Sequence, residues 1–129
     1  MIKTRFNKDR EKFTEKDWGT TEEIFRNSIC ELYRLEIKAG GKSTFGGFHK
    51  HLYKYNLIYI EYGKLEIVRE VASGQTKFII GPDTDYTKFT VYPGTKHRFE
   101  ALEETVAYEF YFVYCNPDDT IRYERNDSI

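Results

Sequence analysis

The sequence predicts an all-β, single-domain antiparallel β-barrel. Aromatic side chains make up 17% of the 129 residues, and aromatic and β-branched residues favour strands over helices. Short segments of strand-like pattern recur along the chain with glycine or proline between most of them, which is typical of sandwiches and barrels. The length suits one domain with a hydrophobic core of its own.

The pattern divides the chain into three parts. Residues 1–17 are polar and charged, and we expect an extended N-terminal arm that could add an edge strand or a subunit contact. Residues 18–115 carry the predicted strands of the barrel, and residues 116–129 form a C-terminal tail. Asp118 and Asp119 suit a helix start, so the beginning of the tail is predicted to be helical or irregular.

Within the barrel, strand-like alternation is interrupted by tight turns in which glycine accepts a positive φ. The first predicted strand covers 28–38 and ends at the turn 39–42. Further strands are predicted at 48–52, 56–61, 64–71, 77–80, 89–92, 96–101 and 105–114.

Composition narrows the classes of function. The formal net charge is −1 and both signs are interspersed, so neither nucleic acid nor a membrane is an expected partner. The longest apolar runs, such as 57–60, are too short to cross a bilayer, and the first residues do not resemble a signal peptide. Cys30 and Cys115 lack the C-x-x-C spacing and are predicted to be reduced core thiols. These features predict a cytoplasmic protein.

All three histidines of the chain occur where a metal site would need them. His49 and His51 flank one residue of a predicted strand, so their imidazoles point to the same face. His97 follows the turn 93–96 and begins a distant strand. Imidazole nitrogen is a ligand for Zn²⁺, Fe²⁺, Mn²⁺ and Ni²⁺. The spacing therefore predicts a divalent transition-metal site of unspecified metal.

Around the histidine pair, the chain resembles the first of two sequence blocks that mark the cupin superfamily of small β-barrels. That block is an H-x-H pair, then a carboxylate or amide several residues later, then a glycine after six intervening residues. His49 and His51 match the pair, Asn56 supplies the amide, and Gly63 closes the block.

The second cupin block is a glycine followed three residues later by a histidine, which Gly94 and His97 supply. The resemblance covers roughly Trp18 to Val113. It implies a jelly-roll barrel in which the three histidines hold a metal ion and Asn56 is a weak fourth ligand. It also implies a small-molecule ligand, and we expect a homodimer that uses the N-terminal arm.

The chain departs from the cupin pattern in three places. Asn56 replaces the glutamate that usually serves as the anionic ligand. Pro93 adjoins Gly94, and Tyr92 stands where the proline is normally found. Ala101 replaces an expected asparagine. The first departure lowers the attraction for a dication, yet an ion held by neutral ligands keeps its full charge and is a stronger Lewis acid.

Two finer resemblances indicate sugar chemistry. Trp18 and the segment 35–43 look like the lead-in of mannose-6-phosphate isomerase-like cupins, whereas 47–51, Asn56 and 118–122 are similar to sugar-nucleotide ketoisomerases. Both resemblances imply an isomerase or epimerase for a phosphorylated or nucleotide-linked sugar. Three alternatives remain open: a metal-free ketoisomerase in which the H-x-H histidines move the proton, a non-haem iron dioxygenase, and a non-catalytic binding protein.

Glu109 is the only charge in the aromatic segment 106–113. If its side chain faces inward, it is a desolvated carboxylate suited to act as a general base. If it faces outward, it lies in solvent with Tyr111 while the aromatic residues of alternate positions pack inside. The sequence leaves both orientations open.

Four further residues are candidates for substrate contacts. Tyr53, Tyr59 and Phe99 are expected to line the barrel. Tyr59 is also a catalytic candidate, because its hydroxyl could polarise a sugar oxygen and a tyrosine is the alternative to Glu109 as the base. Arg34 could hold a phosphate group of the substrate.

Overall fold

The computed structural model describes residues 13–43, 47–113 and 120–123. The strands in these residues, in chain order, are β1 (Phe13–Lys16), β2 (Gly19–Arg26), β3 (Cys30–Ile37), β4 (His49–His51), β5 (Tyr55–Tyr62), β6 (Leu65–Val71), β7 (Gly74–Ile80), β8 (Lys88–Val91), β9 (His97–Ala101), β10 (Thr105–Phe112) and β11 (Thr120–Arg122). No α-helix occurs in these ranges, and none of their segments is a helix able to cross a membrane. The all-β prediction is confirmed.

The strands form two antiparallel sheets. The six-stranded sheet has the order β1-β2-β3-β10-β5-β8, and the five-stranded sheet has the order β11-β4-β9-β6-β7. Pairing of β3 with β10 and of β4 with β9 joins strands that are distant in sequence, as in a jelly roll. Among the described residues the two sheets share no strand ladder, so the predicted barrel is a sandwich and not one closed sheet.

The interior of the sandwich is apolar at one end and polar at the other. The apolar end is a cluster of buried side chains from both sheets: Leu35, Ile37, Ile58, Ile60, Leu65, Ile67, Ile80, Phe99, Ala101 and Ala107. Further along the same strands, the inward positions are occupied by polar side chains such as Glu31 on β3, His97 on β9 and Glu109 on β10. Burial of the first set stabilises the fold, and from the second set Glu31 and Glu109 line a cavity.

The two chain ends add strands to the sheet edges. β1 is an edge strand of the six-stranded sheet, as expected for the end of the arm, and residues 1–12 lie outside the described part. The prediction of a helical or irregular tail is wrong for Thr120–Arg122, which pairs with β4. The helix-start residues Asp118 and Asp119, like Cys115, lie outside the described residues. Of the four tail residues that the structure describes, three take part in this ladder.

Candidate metal centre

The polar end of the sandwich opens into a cavity of about 960 Å³. The two sheets contribute different chemistry to its walls. The five-stranded sheet contributes His49 and His51, and the six-stranded sheet contributes carboxylates and phenols, among them Glu109 and Tyr111. The His51 and Tyr111 rings meet across the cavity with their centroids 5.2 Å apart.

The three histidines come together in one buried group. His49 lies opposite His97 in the β4–β9 register, and their ring centroids are 4.2 Å apart. The ring of His51 lies 5.2 Å from His49 and 5.4 Å from His97. One ring nitrogen from each residue can be chosen so that all three lie within 4.8 Å of one another, which is a group that could hold a metal ion.

Hydrogen bonds orient two of these rings. His97 Nδ1 is 2.9 Å from the carbonyl oxygen of Thr95, which can only accept, so Nδ1 carries the proton and Nε2 carries the lone pair. His51 Nδ1 is 2.8 Å from Thr120 Oγ1 on β11. The Nε2 atoms of His51 and His97 are buried without a hydrogen-bond partner among the described residues. Buried unpaired nitrogens whose other ring nitrogen is anchored are what a metal ion would satisfy.

Burial keeps all three imidazoles neutral. Desolvation, followed by the charges of neighbouring groups, lowers the pKa of His49 well below its usual value and the pKa of His51 to about 3. Desolvation also lowers the pKa of His97 to about 4. Since a metal binds only the neutral imidazole, the site needs no deprotonation at neutral pH.

These shifts predict that the metal-free protein loses stability as the pH falls from 6.5 towards 4. In that window the unfolded histidines bind protons that the folded ones do not, so the free energy of unfolding decreases with decreasing pH. We expect a loss of on the order of 2 kcal/mol per histidine at about pH 4.5. Urea-unfolding midpoints near pH 7 and near pH 4.5 measure it.

The control is the His97→Gln variant, which removes one of the three titrating rings. Its midpoint should decrease less between the two pH values than the parent's midpoint does. Equal decreases in parent and variant would show that other groups carry the pH dependence.

Glu109 faces the cavity. Its side chain and that of Tyr111 line the cavity, whereas Phe110 between them is 38% exposed. The outward orientation considered from the sequence is therefore wrong, because β10 turns its odd-numbered residues inward at this end. Burial raises the pKa of Glu109, while hydrogen bonds from Asn56 and Tyr111 act in the opposite direction.

Asn56 holds the carboxylate of Glu109 from the neighbouring strand β5. It is fully buried, and its Nδ2 donates a 3.0 Å hydrogen bond to Glu109 Oε2. Its Oδ1 has no hydrogen-bond partner among the described residues. The amide therefore orients the Glu109 carboxylate, and its role as a fourth metal ligand stays a prediction.

The sequence analysis missed a second glutamate–tyrosine pair. Tyr33 donates a 2.9 Å hydrogen bond to Glu31, and both line the cavity. Because β3 and β10 are antiparallel, Glu31 lies opposite Tyr111 and Tyr33 lies opposite Glu109. The signal in the sequence is the E-x-Y pattern, which occurs at 31–33 and again at 109–111.

Three predicted substrate contacts do not lie in the cavity. Tyr59 is 45% exposed, because its neighbours on β5 point inward and it must point outward. Tyr53 is 60% exposed in the β4–β5 connection. Arg34 alternates with inward residues of β3 and pairs with Glu36 away from the cavity. Phe99 does line the cavity, and its ring packs edge-on against Trp18 at 5.6 Å.

Comparison with known proteins finds likeness in structure only. No family model and no curated protein matches the sequence. The capsular polysaccharide assembling protein CapF of Staphylococcus aureus superposes with a TM-score of 0.72 at 18% identity, over 87% of this chain and 31% of that one. KdgF of Halomonas sp. superposes with a TM-score of 0.65 at 16% identity, over 84% of this chain and 94% of that one.

A third neighbour is a tryptophan-to-tyrosine variant of the oxalate decarboxylase of Bacillus subtilis, with a TM-score of 0.69, 13% identity and coverage of 85% of this chain and 29% of that one. The chain thus spans about a third of the length of CapF and of oxalate decarboxylase. The fold and the site define the class, a jelly-roll protein with a buried group of three histidines. These likenesses confirm the jelly-roll fold that the resemblance implied.

Proposed function

We propose that the protein is a metal-binding sugar isomerase or epimerase that acts on a phosphorylated or nucleotide-linked sugar. The observation that supports this most is a group of three buried histidines, two of which, His49 and His51, line the same cavity as the buried carboxylate of Glu109. Metal-assisted proton transfer beside a carbonyl needs both a Lewis-acid site and a positioned base.

His49, His51 and His97 would hold the ion, with Asn56 as a weak fourth ligand. A bound divalent ion would polarise a carbonyl or neighbouring hydroxyl groups of the sugar. For isomerisation, Glu109 would take the proton from the carbon beside that carbonyl and deliver it to the carbonyl carbon, while the proton of the neighbouring hydroxyl passes to the carbonyl oxygen. For epimerisation, a proton would return to the first carbon on its opposite face. Asn56 holds the carboxylate in place for this transfer through its 3.0 Å hydrogen bond.

The structural neighbours support a small polar ligand. One is named for capsular polysaccharide assembly, and another is an oxalate decarboxylase. The first name concerns sugar polymers and the second a small dicarboxylic acid. Both kinds of ligand carry the oxygen atoms that a polar cavity with histidines and carboxylates would contact.

The metal content of protein purified without a histidine tag tests the proposal. The chain has only three histidines, all in the site, so no other histidine contributes to metal binding. We expect one transition-metal ion per parent chain and at least a ~100-fold lower affinity for His97→Ala, because one of three strong ligands is lost. Cys30→Ser, which changes a thiol outside the histidine group, should keep the metal.

Equal trace amounts of metal in parent and His97→Ala would contradict a metal site. They would favour the metal-free ketoisomerase, which the neutral Asn56 in place of a glutamate also favours. The reaction class is tested by incubating the protein with phosphorylated and nucleotide-linked sugars in D₂O. Deuterium at the carbon beside the carbonyl supports isomerisation or epimerisation, and iron-dependent oxygen uptake without it would support a dioxygenase.

A further inference from the structure

We propose that Arg122, with Lys54 on the facing wall, binds an oxyanion group of the substrate, a phosphate or a carboxylate, beside the histidine group. This inference deepens the proposed function, on which it rests, by naming the residues that would hold the charged part of the ligand. Arg122 on strand β11 would thus have the phosphate-binding role that the sequence predicted for Arg34.

The β-sheet register places Arg122 at the histidines. Arg122 is the cross-strand partner of His49, and directly opposed residues share a face of the sheet. The side chain of His49 is buried beneath the cavity, and Arg122 is exposed at its margin. The guanidinium is therefore positioned where a ligand would enter.

The positive charge of Arg122 has no acidic partner within the described ranges. None of the ion pairs found among residues 13–43, 47–113 and 120–123 includes it. In contrast, Arg26 and Lys54 approach the two oxygens of Glu31 at 3.5 and 3.8 Å. A guanidinium offers five donors in a planar fork that matches a phosphate or carboxylate.

Lys54 faces the same space from the β4–β5 connection. Its ammonium is almost fully buried and lies 4.3 Å from the centroid of the Tyr111 ring, the ring that contacts His51. Its 3.8 Å separation from Glu31 is an ion-pair distance and exceeds that of a charge-assisted hydrogen bond.

An oxyanion between these cations would place the adjoining carbon atoms of the ligand near the histidines and Glu109. A substrate with an anionic group a few bonds from its carbonyl fits this arrangement, and a neutral sugar would leave the guanidinium unused. The cavity of about 960 Å³ has room for a phosphorylated monosaccharide.

The test uses the full chain after removal of metal by a chelator, so that no ion can bind the probe. Inorganic phosphate and, in a separate arm, acetate are titrated by calorimetry. We expect the parent to bind one of them, and Arg122→Gln to weaken that binding at least ~10-fold through loss of a charged hydrogen-bond donor. Arg122→Lys keeps the positive charge but not the planar fork of donors, so its affinity for the probe should lie between those of the parent and Arg122→Gln.

Lys50→Gln is the matched control, because Lys50 lies between His49 and His51 on β4 but alternates to the opposite face. It should bind the probe as the parent does. Lys54→Met should also weaken binding, and its unfolding curve shows whether loss of the ion pair with Glu31 has destabilised the fold. Unchanged binding by Arg122→Gln, or no binding of either probe by the parent, would overturn the inference. The metal content of the protein before chelator treatment is measured as well, so failure of the metal proposal is distinguished from failure of this inference.

Discussion

Replacing Glu109 by glutamine is expected to lower turnover by about 10³-fold while the metal stays bound. Glutamine keeps the size and the hydrogen-bonding oxygen of the side chain, so Asn56 Nδ2 can still donate to it at the present 3.0 Å distance. What is lost is the ability to accept and return a proton. The measurement is the rate of deuterium exchange from solvent into the sugar, together with metal content.

Glu36→Gln is the matched control for this variant. Glu36 is 8% exposed and Glu109 is 9% exposed, but Glu36 pairs with Arg34 on the face of β3 away from the cavity. Its turnover should equal that of the parent. Full activity of Glu109→Gln would exclude Glu109 as the base, and loss of metal from that variant would show that the carboxylate is a ligand instead.

Replacing Gly63 by alanine is expected to destabilise the fold by about 3–5 kcal/mol. Gly63 has a φ of +94°, which an alanine adopts only with strain. A Cβ there would lie 2.3 Å from the carbonyl oxygen of Glu104 and 2.7 Å from Thr105 Cα, both of which are backbone atoms. The clash cannot be relieved by a side-chain rotation, so the β5–β6 turn must move away from β10. Urea unfolding measures the loss.

Gly94→Ala separates strain from clash. Gly94 has a similar φ of +81°, but a Cβ there would meet nothing within 4 Å. We expect the free energy of unfolding to fall by about 1–2 kcal/mol, because only the strain of a positive φ is introduced. If the two variants are equally destabilised, the clash with the Glu104 carbonyl oxygen does not contribute to the effect of Gly63→Ala.

The strands and the His49–His51 pair could be predicted because their signals are local. Strand alternation and glycine turns are set by neighbouring residues, and the H-x-H spacing places His49 and His51 on one face whatever the rest of the chain does. The prediction that His97 joins them rests on the resemblance to the two sequence blocks of a known family. The register His49↔His97 is a long-range pairing that periodicity alone does not specify.

The remaining site residues could not be predicted, because an alternating strand has two faces and the sequence does not always show which is inside. On β10, aromatic residues occupy both faces, so the sequence pattern does not fix the orientation of Glu109, which depends on how the two sheets pack. Arg34 is predicted to hold a phosphate, but the sequence pattern does not show that it points away from the cavity. Nothing in the pattern of the polar tail indicates that Thr120–Arg122 pairs with β4 beside His49.

The separation of the interior into an apolar end and a polar end bears on how this architecture can diverge. Residues that would set ligand chemistry, such as His97, Glu109 and Glu31, contribute nothing to the hydrophobic cluster at the other end. Exchanging them would alter what the cavity accepts without removing any apolar side chain from that cluster. Proteins named for oxalate decarboxylation and for capsule assembly share this frame at 13% and 18% identity. Such tolerance of substitution is what one expects when folding and chemistry depend on different residues of the same strands.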